Sequence, residues 1–242
     1  MSRMIAGLQP VREAIRVHGE RLEKVLVETA GGPQIEAVAR FAADRGAQVT
    51  RVARAELDRA AKGARHQGAI AYAPDLTLAS LDDVIALVKS DASAVVVALD
   101  EIEDPQNFGA VIRSAVALGA KAVLWPEHHS APLSPATFRA SAGAVEHALL
   151  ARVSALPTAL ERVRDAGATV IGLDANAERA VEDLDVEGPV VLVVGAEGKG
   201  LRKTVKRVCT ELAKLSMKGP IDSLNASVAS GIALYEVVRK RG

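Results

Sequence analysis

The feature that most constrains this fold is the alternation of short apolar runs with helical patterns in the second half of the chain. Five runs rich in Val, Leu and Ala predict β-strands, at residues 94–100, 121–125, 169–173, 189–195 and 211–215. Helical patterns cover residues 109–118, 155–166 and 227–240. Short continuous apolar runs are typical of strands buried on both faces. The pattern therefore predicts an α/β domain whose parallel sheet is covered by helices on both sides.

The first part of the chain has a similar alternation on a smaller scale. Strand-like runs lie at residues 22–28, 48–52 and 67–73, and helical patterns lie at 33–45 and 54–61. We expect a small α/β domain over residues 1–75 and a linker over 76–92 that carries a short amphipathic helix at 81–88. The larger α/β domain is expected over residues 93–242.

Composition excludes several classes of protein. Lys plus Arg and Asp plus Glu number 30 each, so any contact with nucleic acid must be local. The single cysteine, Cys209, excludes a disulfide framework and favours a reducing compartment. The chain has no secretory-type leader and no apolar run of about 18 residues, so we expect a cytoplasmic protein with no membrane segment. His128 and His129 are adjacent instead of helically spaced, and we expect no metal site.

Polar residues follow the first strand of the larger domain. The segment 104–113 reads DPQNFGAVIR. Ligands bind at the carboxyl ends of strands in parallel α/β sheets, so this turn is a candidate site. Asn107 is either a helix cap or a ligand-binding side chain. Arg113, surrounded by small apolar residues, is either at the exposed edge of its helix or paired in a site.

A glycine-rich loop follows the fourth predicted strand. Residues 195–200 read GAEGKG, which matches neither the dinucleotide fingerprint nor the P-loop. Glycines allow the backbone to approach a ligand closely, or to fold into a sharp surface turn. Glu197 favours the first interpretation, because a carboxylate at a strand end can orient a cation.

The loop after the fifth predicted strand carries more polar side chains than a helix start requires. Ser223, Asn225 and Ser227 precede an apolar helical pattern. One of them is sufficient to cap that helix. The other two indicate that this loop also contributes to a site.

Together these three segments resemble the SpoU, or TrmH, family of RNA ribose 2′-O-methyltransferases in the SPOUT superfamily. The matching residues of the first motif are Asp104, Pro105, Asn107, Gly109 and Arg113. Those of the second are Gly195, Glu197, Gly198 and Gly200, and those of the third are Met217, Gly219, Ser223, Leu224, Asn225 and Ser227, followed by Gly231, Tyr235 and Glu236. The resemblance covers residues 94–242.

The N-terminal part resembles the L30e-like RNA-binding domain of the RlmB-type members of this family. The similar stretches are residues 5–7 (IAG), 10–11 (PV) and 65–68 (RHQG). Those members methylate a guanosine of 23S ribosomal RNA. The resemblance thus implies an enzyme that binds 23S ribosomal RNA through this domain.

The resemblance also implies a fold and a cofactor. SPOUT domains contain a C-terminal trefoil knot, bind S-adenosylmethionine in the knotted loops and form homodimers with the site near the subunit interface. S-adenosylhomocysteine is then the product.

The roles of the site residues follow from the same resemblance. We expect Arg113 to stabilise the developing alkoxide, since a guanidinium stays protonated. Glu197 would hold Arg113, or the same arginine of a second subunit, while Asn107 and Asn225 would position the ribose and Arg113. The expected cofactor-binding residues are Gly195, Ala196, Glu197, Gly200, Leu215, Met217, Leu224, Asn225 and Ser227.

Two basic clusters are candidates for RNA contact. The first comprises Arg51, Arg54, Arg59, Lys62 and Arg65, with His66 beside them, and the second comprises Lys199, Arg202, Lys203, Lys206 and Arg207. The simpler interpretation of either cluster is a solvated surface.

Three alternatives remain open from the sequence. A dinucleotide-dependent enzyme lacks its glycine fingerprint here. A non-catalytic ribosomal RNA assembly protein would not need Asn107, Arg113, Glu197 and Asn225. Transfer RNA could replace ribosomal RNA as the substrate.

Overall fold

Two β-sheets organise the chain, and each lies in its own unit. The computed structural model describes residues 2–220 and 223–241. The first unit comprises Met1–Thr77 together with Leu133–His147, and the second comprises Leu78–Pro132 and Ala148–Gly242.

The sheet of the first unit is mixed. Its strands are β1 (Ser2–Ala6), β2 (Lys24–Glu28), β3 (Val49–Val52) and β4 (Ala69–Pro74), in the order β1-β4-β2-β3. β4 is antiparallel to both neighbours, while β2 and β3 are parallel. The helices are α1 (Leu8–His18), α2 (Pro33–Asp44) and α3 (Arg54–Ala61). Alternate strand residues face opposite sides, so Val25 and Val27 pack with α1 and α2, whereas Leu26 packs with Leu57 of α3.

The sheet of the second unit is parallel throughout, as the alternating pattern predicts. Its strands are β5 (Val95–Asp100), β6 (Ala122–Pro126), β7 (Leu149–Val153), β8 (Thr169–Leu173), β9 (Arg179–Ala180), β10 (Val190–Gly195) and β11 (Glu211–Lys214). The order is β7-β6-β5-β10-β8-β11-β9. Every residue of β5 is buried, which agrees with its continuous apolar run.

Helices cover this sheet and fix its central strands. They are α4 (Leu81–Ser90), α5 (Pro105–Ala117), α7 (Leu156–Asp165), α8 (Lys203–Lys206) and α9 (Ala226–Arg239), while α6 (Pro135–Ala140) belongs to the first unit. Residues of α4, α7 and α8 share one core with the strands, and α5 packs against α9.

The short helix expected at 81–88 is present as α4, but residues 78–92 belong to the second unit and do not form a separate linker. Ser80 caps α4 in a capping box with Asp83, and Val84 and Val88 on one face of α4 are buried in the core of the second unit. Because an i, i+4 apolar pair needs a partner surface, this helix packs as part of the second unit.

The contiguous boundary expected for the larger domain also differs from the structure. Residues 133–147 pack with the first unit, where Glu146 is ion-paired with Arg3 at 2.5 Å and contacts His18 at 2.8 Å. His147 lies 2.8 Å from Glu13. These polar pairings are long-range in sequence, so no local pattern could have indicated them.

Six of the elements named above were not expected from the sequence, namely β1, α1, α6, β7, β9 and α8. No helix in residues 2–220 and 223–241 is both long and apolar enough to span a membrane.

Candidate functional site

The candidate site lies at the carboxyl edge of the parallel sheet. β5, β10, β8 and β11 are consecutive neighbours in that sheet and all run in the same direction. The loops that follow these strands therefore meet at one edge, as expected for ligand sites in parallel sheets.

Three side chains from three loops form one hydrogen-bonded group, here called the amide triangle. The Nδ2 of Asn225 donates to Oδ1 of Asn107 at 2.9 Å and to Oε2 of Glu197 at 3.1 Å. The Oδ1 of Asn225 accepts from the backbone N–H of Ser227 at 3.0 Å and from its hydroxyl at 2.6 Å. Asn225 thus uses both ends of its amide, and it joins the three segments singled out in the sequence.

The helix caps explain why these amides are available. Asp104 caps α5, with its carboxylate accepting from the backbone N–H groups of Gln106 and Asn107. Asn107 is therefore not the cap, and its side chain is free to bond with Asn225. Asn225 itself caps α9.

The glycine loop is folded back on itself. A Cβ on Gly195 would lie 2.3 Å from the carbonyl carbon of Gly200, so any side chain there would collide with backbone. The N–H of Gly200 donates to the carbonyl of Ala196 at 2.8 Å, and Gly200 has a φ of 65°. The sequence GAEGKG therefore gives a tight closed turn that presents Glu197 at its tip.

A cavity of about 270 Å³ opens between the loops after β8, β10 and β11. Seven of the nine expected cofactor-binding residues line it: Gly195, Ala196, Glu197, Gly200, Leu215, Met217 and Leu224. Asn225 and Ser227 do not line this cavity. Their side chains bond to each other, and Asn225 also bonds to Asn107 and Glu197, so they hold the loops in place.

The cavity wall also includes two polar residues that sequence reasoning missed, Asp174 and Asn176. Lys206, expected in the second basic cluster, lines the cavity too, and its Nζ lies 2.5 Å from Oδ2 of Asp174. Burial opposes ionisation of Asp174, but the Lys206 ammonium and the backbone N–H of Asn176 hold the pKa of this carboxyl below its ordinary value. Asp174 directly follows β8, so the strand-end rule applied to the third strand would have found it.

A second, smaller cavity of about 190 Å³ adjoins the amide triangle. It shares Ala196, Glu197, Lys199 and Ala226 with the larger cavity. Its other lining residues are Glu101, Ile102, Glu103, Asp104 and Asn107. Glu197 and Asn107 thus lie where a second reactant could meet a molecule held in the larger cavity.

Arg113 is exposed on α5, and no hydrogen bond or ion pair joins it to the rest of the described chain. Its neighbour Ser114 lies beside Gly231 of α9, with the Ser114 hydroxyl 3.6 Å from the position of a Gly231 Cβ. Glu197 bonds to Asn225 and not to Arg113 of the same chain. The expected contact of Glu197 with Arg113 is therefore not made within one subunit.

The first basic cluster is partly neutralised. Arg51 donates two hydrogen bonds of 2.7 Å to Glu36, which hold the pKa of Glu36 below its ordinary value, and Arg54 lies 3.6 Å from Glu28. His66 is 5% exposed. Its Nε2 contacts Asp58 at 2.9 Å, and its Nδ1 accepts from the N–H of Gly68 at 3.0 Å.

His66 is therefore a buried structural residue, and the expectation that it contacts RNA is wrong for this conformation. Arg59, Lys62 and Arg65 are exposed, and none of them has a partner among the residues described. The free positive charge of this cluster is thus confined to these three side chains.

In the second basic cluster, Arg202 is paired with Asp100 and Lys206 with Asp174, whereas Lys199, Lys203 and Arg207 are exposed. Two of the five residues that the sequence presents as a basic surface are consequently paired with carboxylates of the site.

Comparisons with known proteins agree with this geometry. The model of the SpoU rRNA methylase family matches residues 94–235, and that of the RNA 2′-O ribose methyltransferase substrate-binding domain matches residues 4–78. A protein of Mycolicibacterium vanbaalenii named as an uncharacterized tRNA/rRNA methyltransferase is 42% identical over 241 residues, which cover 98% of this chain and 76% of that protein.

Solved structures are similar over nearly the whole chain. The AdoMet-bound rRNA methyltransferase of Sinorhizobium meliloti superposes with a TM-score of 0.77 at 28% identity, covering 98% of this chain and 87% of that one. A structure described as an RNA 2′-O ribose methyltransferase gives a TM-score of 0.79 at 26% identity, covering 99% and 89%. With its N-terminal substrate-binding domain, its parallel sheet and its amide triangle, this chain belongs to the SpoU rRNA methylase family.

Proposed function

We propose that this protein transfers the methyl group of S-adenosylmethionine to the 2′-hydroxyl of a guanosine ribose in 23S ribosomal RNA. The observation that carries the proposal is the amide triangle, which joins the three loops around the two adjoining cavities. Membership of the family supports the reaction class. The position of the N-terminal match, over residues 4–78, supports an RNA substrate.

The larger cavity fits a sulfonium nucleoside. Leu173, Val194 and Leu215 give it apolar walls suited to an adenine ring, while Glu197 and Asp174 supply carboxylates that favour positive charge. When bound, S-adenosylmethionine supplies an already activated methyl group, so no metal is needed to activate the donor.

The chain's own residues must then make the ribose hydroxyl nucleophilic. Arg113 keeps its proton and stabilises the oxygen as negative charge develops, while the hydroxyl proton passes to water or to a phosphate. A donor placed in this way typically contributes about 3–4 kcal/mol to transition-state stabilisation. Asn107 and Asn225 position the ribose, and Glu197 orients the arginine.

We propose that Arg113 reaches this site from the other subunit of a homodimer. Val228, Ile232 and Tyr235 are 48%, 44% and 52% exposed, and their i, i+4, i+7 spacing places them on one face of α9. An apolar helical face of this kind favours a protein partner. A second copy against it would bring its own Arg113, on the neighbouring helix α5, toward Glu197.

The remaining parts of the proposal concern the fold, the RNA surface and the location. Arg59, Lys62 and Arg65 provide phosphate contacts in the first unit, because they are exposed and unpaired among the described side chains. The C-terminal loops form the trefoil knot expected from the family, and the protein works in the cytoplasm.

The decisive experiment is transfer of labelled methyl from S-adenosylmethionine to unmodified 23S ribosomal RNA and, separately, to transfer RNA. The RNA is then digested to nucleosides. Label in 2′-O-methylguanosine from 23S RNA supports the proposal, and label in transfer RNA overturns the substrate but keeps the reaction. Absence of both methyl transfer and cofactor binding by the wild-type protein would favour the non-catalytic alternative.

A further inference from the structure

Asp100 is a buried acid beside the site for which neither the mechanism nor the sequence motifs provide a role. It is the last residue of β5 and is 0% exposed. Its Oδ2 accepts the backbone N–H of Arg202 at 2.9 Å, and its Oδ1 accepts Nε–H of the same arginine at 2.7 Å. A buried carboxylate is stable only when it is paired and hydrogen-bonded, so the position of Arg202 is tightly specified.

Asp100 meets the glycine loop at both of its ends, at Gly195 and at Arg202. In the sheet register, Asp100 is opposite Gly195, where the loop begins. Arg202, where the loop ends and α8 starts, is bonded to Asp100 through both its main chain and its side chain. One residue of β5 therefore fixes both ends of the segment 195–202.

The neighbouring backbone strengthens this arrangement. Glu101 has a φ of 59°, a left-handed conformation that is uncommon for a residue with a side chain. Its carboxylate lies 3.5 Å from Nε of Arg202. The sharp turn after β5 thus brings a second carboxylate to the same guanidinium and leads the chain into the loop before Asp104.

The fixed segment carries the part of the site that faces both cavities. Glu197 and Lys199 are at its tip, and its backbone lines the larger cavity from Gly195 to Gly200. A loop whose first residue pairs with Asp100 in the sheet and whose last residue is ion-paired with the Asp100 carboxylate keeps Glu197 within reach of Asn225 without ligand-induced ordering.

We propose that Asp100 and Arg202 are positioning residues that hold the 195–202 loop in the conformation that binds the cofactor. This rests on the proposed function for the identity of the ligand. The pair does not touch the reacting atoms, so its loss weakens cofactor binding and loosens the loop more than it slows turnover at saturating cofactor.

The test uses full-length Asp100→Asn and Arg202→Lys. Titration with S-adenosylhomocysteine should show affinity reduced at least tenfold for Asp100→Asn and less for Arg202→Lys, which keeps the charge and the backbone donor. KM for S-adenosylmethionine should rise by a similar factor, with kcat changed less than threefold. Combining the two substitutions should weaken binding no more than Asp100→Asn alone, because both break one interaction.

Amide hydrogen exchange of the ligand-free protein provides a readout that does not depend on the reaction. Exchange at residues 196–201 should accelerate at least tenfold in Asp100→Asn. Leu57→Ala, a core variant on α3 in the first unit, is the control for a general loss of stability and should leave both loop exchange and affinity unchanged at a temperature where it is folded.

Wild-type affinity and wild-type loop exchange in folded Asp100→Asn would overturn the proposal and leave the pair with a purely structural role. If Asp100→Asn does not fold, Arg202→Lys decides by the same two measurements. Accelerated loop exchange in a protein whose wild type binds no S-adenosylhomocysteine would refute the proposed function while retaining the loop-positioning role.

Discussion

The polar side chains around the strand ends differ between the two units. In the second unit, polar side chains at the strand ends are bonded to one another: Asn225 to Asn107 and Glu197, Lys206 to Asp174, and Arg202 to Asp100. In the first unit the helices α1, α2 and α3 begin without side-chain caps, and Arg59, Lys62 and Arg65 are exposed.

This difference corresponds to two kinds of recognition. Group transfer requires side chains held within a fraction of an ångström, and mutual hydrogen bonds provide that constraint. Binding of an RNA backbone requires accessible positive charge and tolerates mobile side chains, because phosphate contacts are mainly electrostatic. We therefore propose that the second unit carries out methyl transfer and that the first unit provides affinity for RNA.

The largest expected effect concerns Arg113. It differs from the other proposed catalytic residues because no hydrogen bond or ion pair joins it to the described part of the chain. Arg113→Ala should lower kcat at least a hundredfold and leave the affinity for S-adenosylhomocysteine within twofold, since the proposed role of the guanidinium is to stabilise the developing alkoxide. Steady-state kinetics and calorimetric titration measure the two quantities. Arg162→Ala on α7, another exposed arginine of the second unit, is the matched control and should retain activity; turnover of Arg113→Ala within threefold of wild type would exclude the role.

Disruption of the amide triangle should have the next largest effect. Asn225→Asp keeps the oxygen that caps α9 but removes the N–H donors to Asn107 and Glu197. We expect kcat/KM to fall about tenfold to a hundredfold while Tm changes little. Asn225→Ala also removes the cap and should lower stability further, by about 1 kcal/mol. Equal stability losses in the two variants would show that the cap contributes nothing.

The ion pairs of the first unit test whether its stability is separable from catalysis. Glu146→Gln removes the buried carboxylate that bonds to Arg3 and contacts His18, and it leaves a guanidinium without its counter-ion. The free energy of unfolding should fall by about 3 kcal/mol in urea titration, with cofactor affinity unchanged. Glu36→Gln, in the exposed pair with Arg51, is the control and should have little effect. A smaller loss for Glu146→Gln than for Glu36→Gln would contradict the assignment.

The exposed basic residues of the first unit should affect the affinity for RNA and not the rate of methyl transfer. Combined replacement of Arg59, Lys62 and Arg65 by Gln should weaken RNA binding and reduce the slope of log K against log salt by about 2. Filter binding over a salt series measures the slope, and kcat at saturating RNA should stay within threefold. Arg162→Gln in the second unit is the control; an unchanged slope in the triple variant would place the RNA elsewhere.

The smallest expected effect concerns Cys209. Burial, assisted by the nearby Asp100 carboxylate, raises the pKa of this thiol to about 11 from an ordinary value of 9. The folded thiol should therefore react slowly with Ellman's reagent at pH 8 and rapidly after unfolding. The unfolded thiol ionises at a lower pH than the folded thiol. The stability contributed by keeping the buried thiol neutral is therefore complete below pH 9 and is lost between pH 9 and about 11. Cys209→Ser should remove that part of the pH dependence of Tm. Rapid labelling of the folded wild-type protein would contradict the raised pKa of the thiol.

Local patterns in the sequence predicted most elements of the sheet that carries the site. The span Thr169–Leu173 agrees residue for residue with the prediction, and the other four predicted strands of that sheet differ only at their ends. Continuous apolar runs have few alternatives to a buried strand, which is why these predictions were accurate. β1 was missed because only its last two residues are buried, which leaves little apolar alternation, and α1 was missed because its buried face includes Glu13.

The sequence by itself determined the α/β class, the three polar loops and their order, because strand ends and short motifs are local properties of the chain. Only the tertiary structure decided which polar residues bond to one another. It placed residues 133–147 with the first unit, joined Asn225 to Asn107 and Glu197, and joined Asp100 to Arg202. Each of these outcomes depends on residues far apart in the chain, whose pairing is set by packing and by the need to satisfy buried charge.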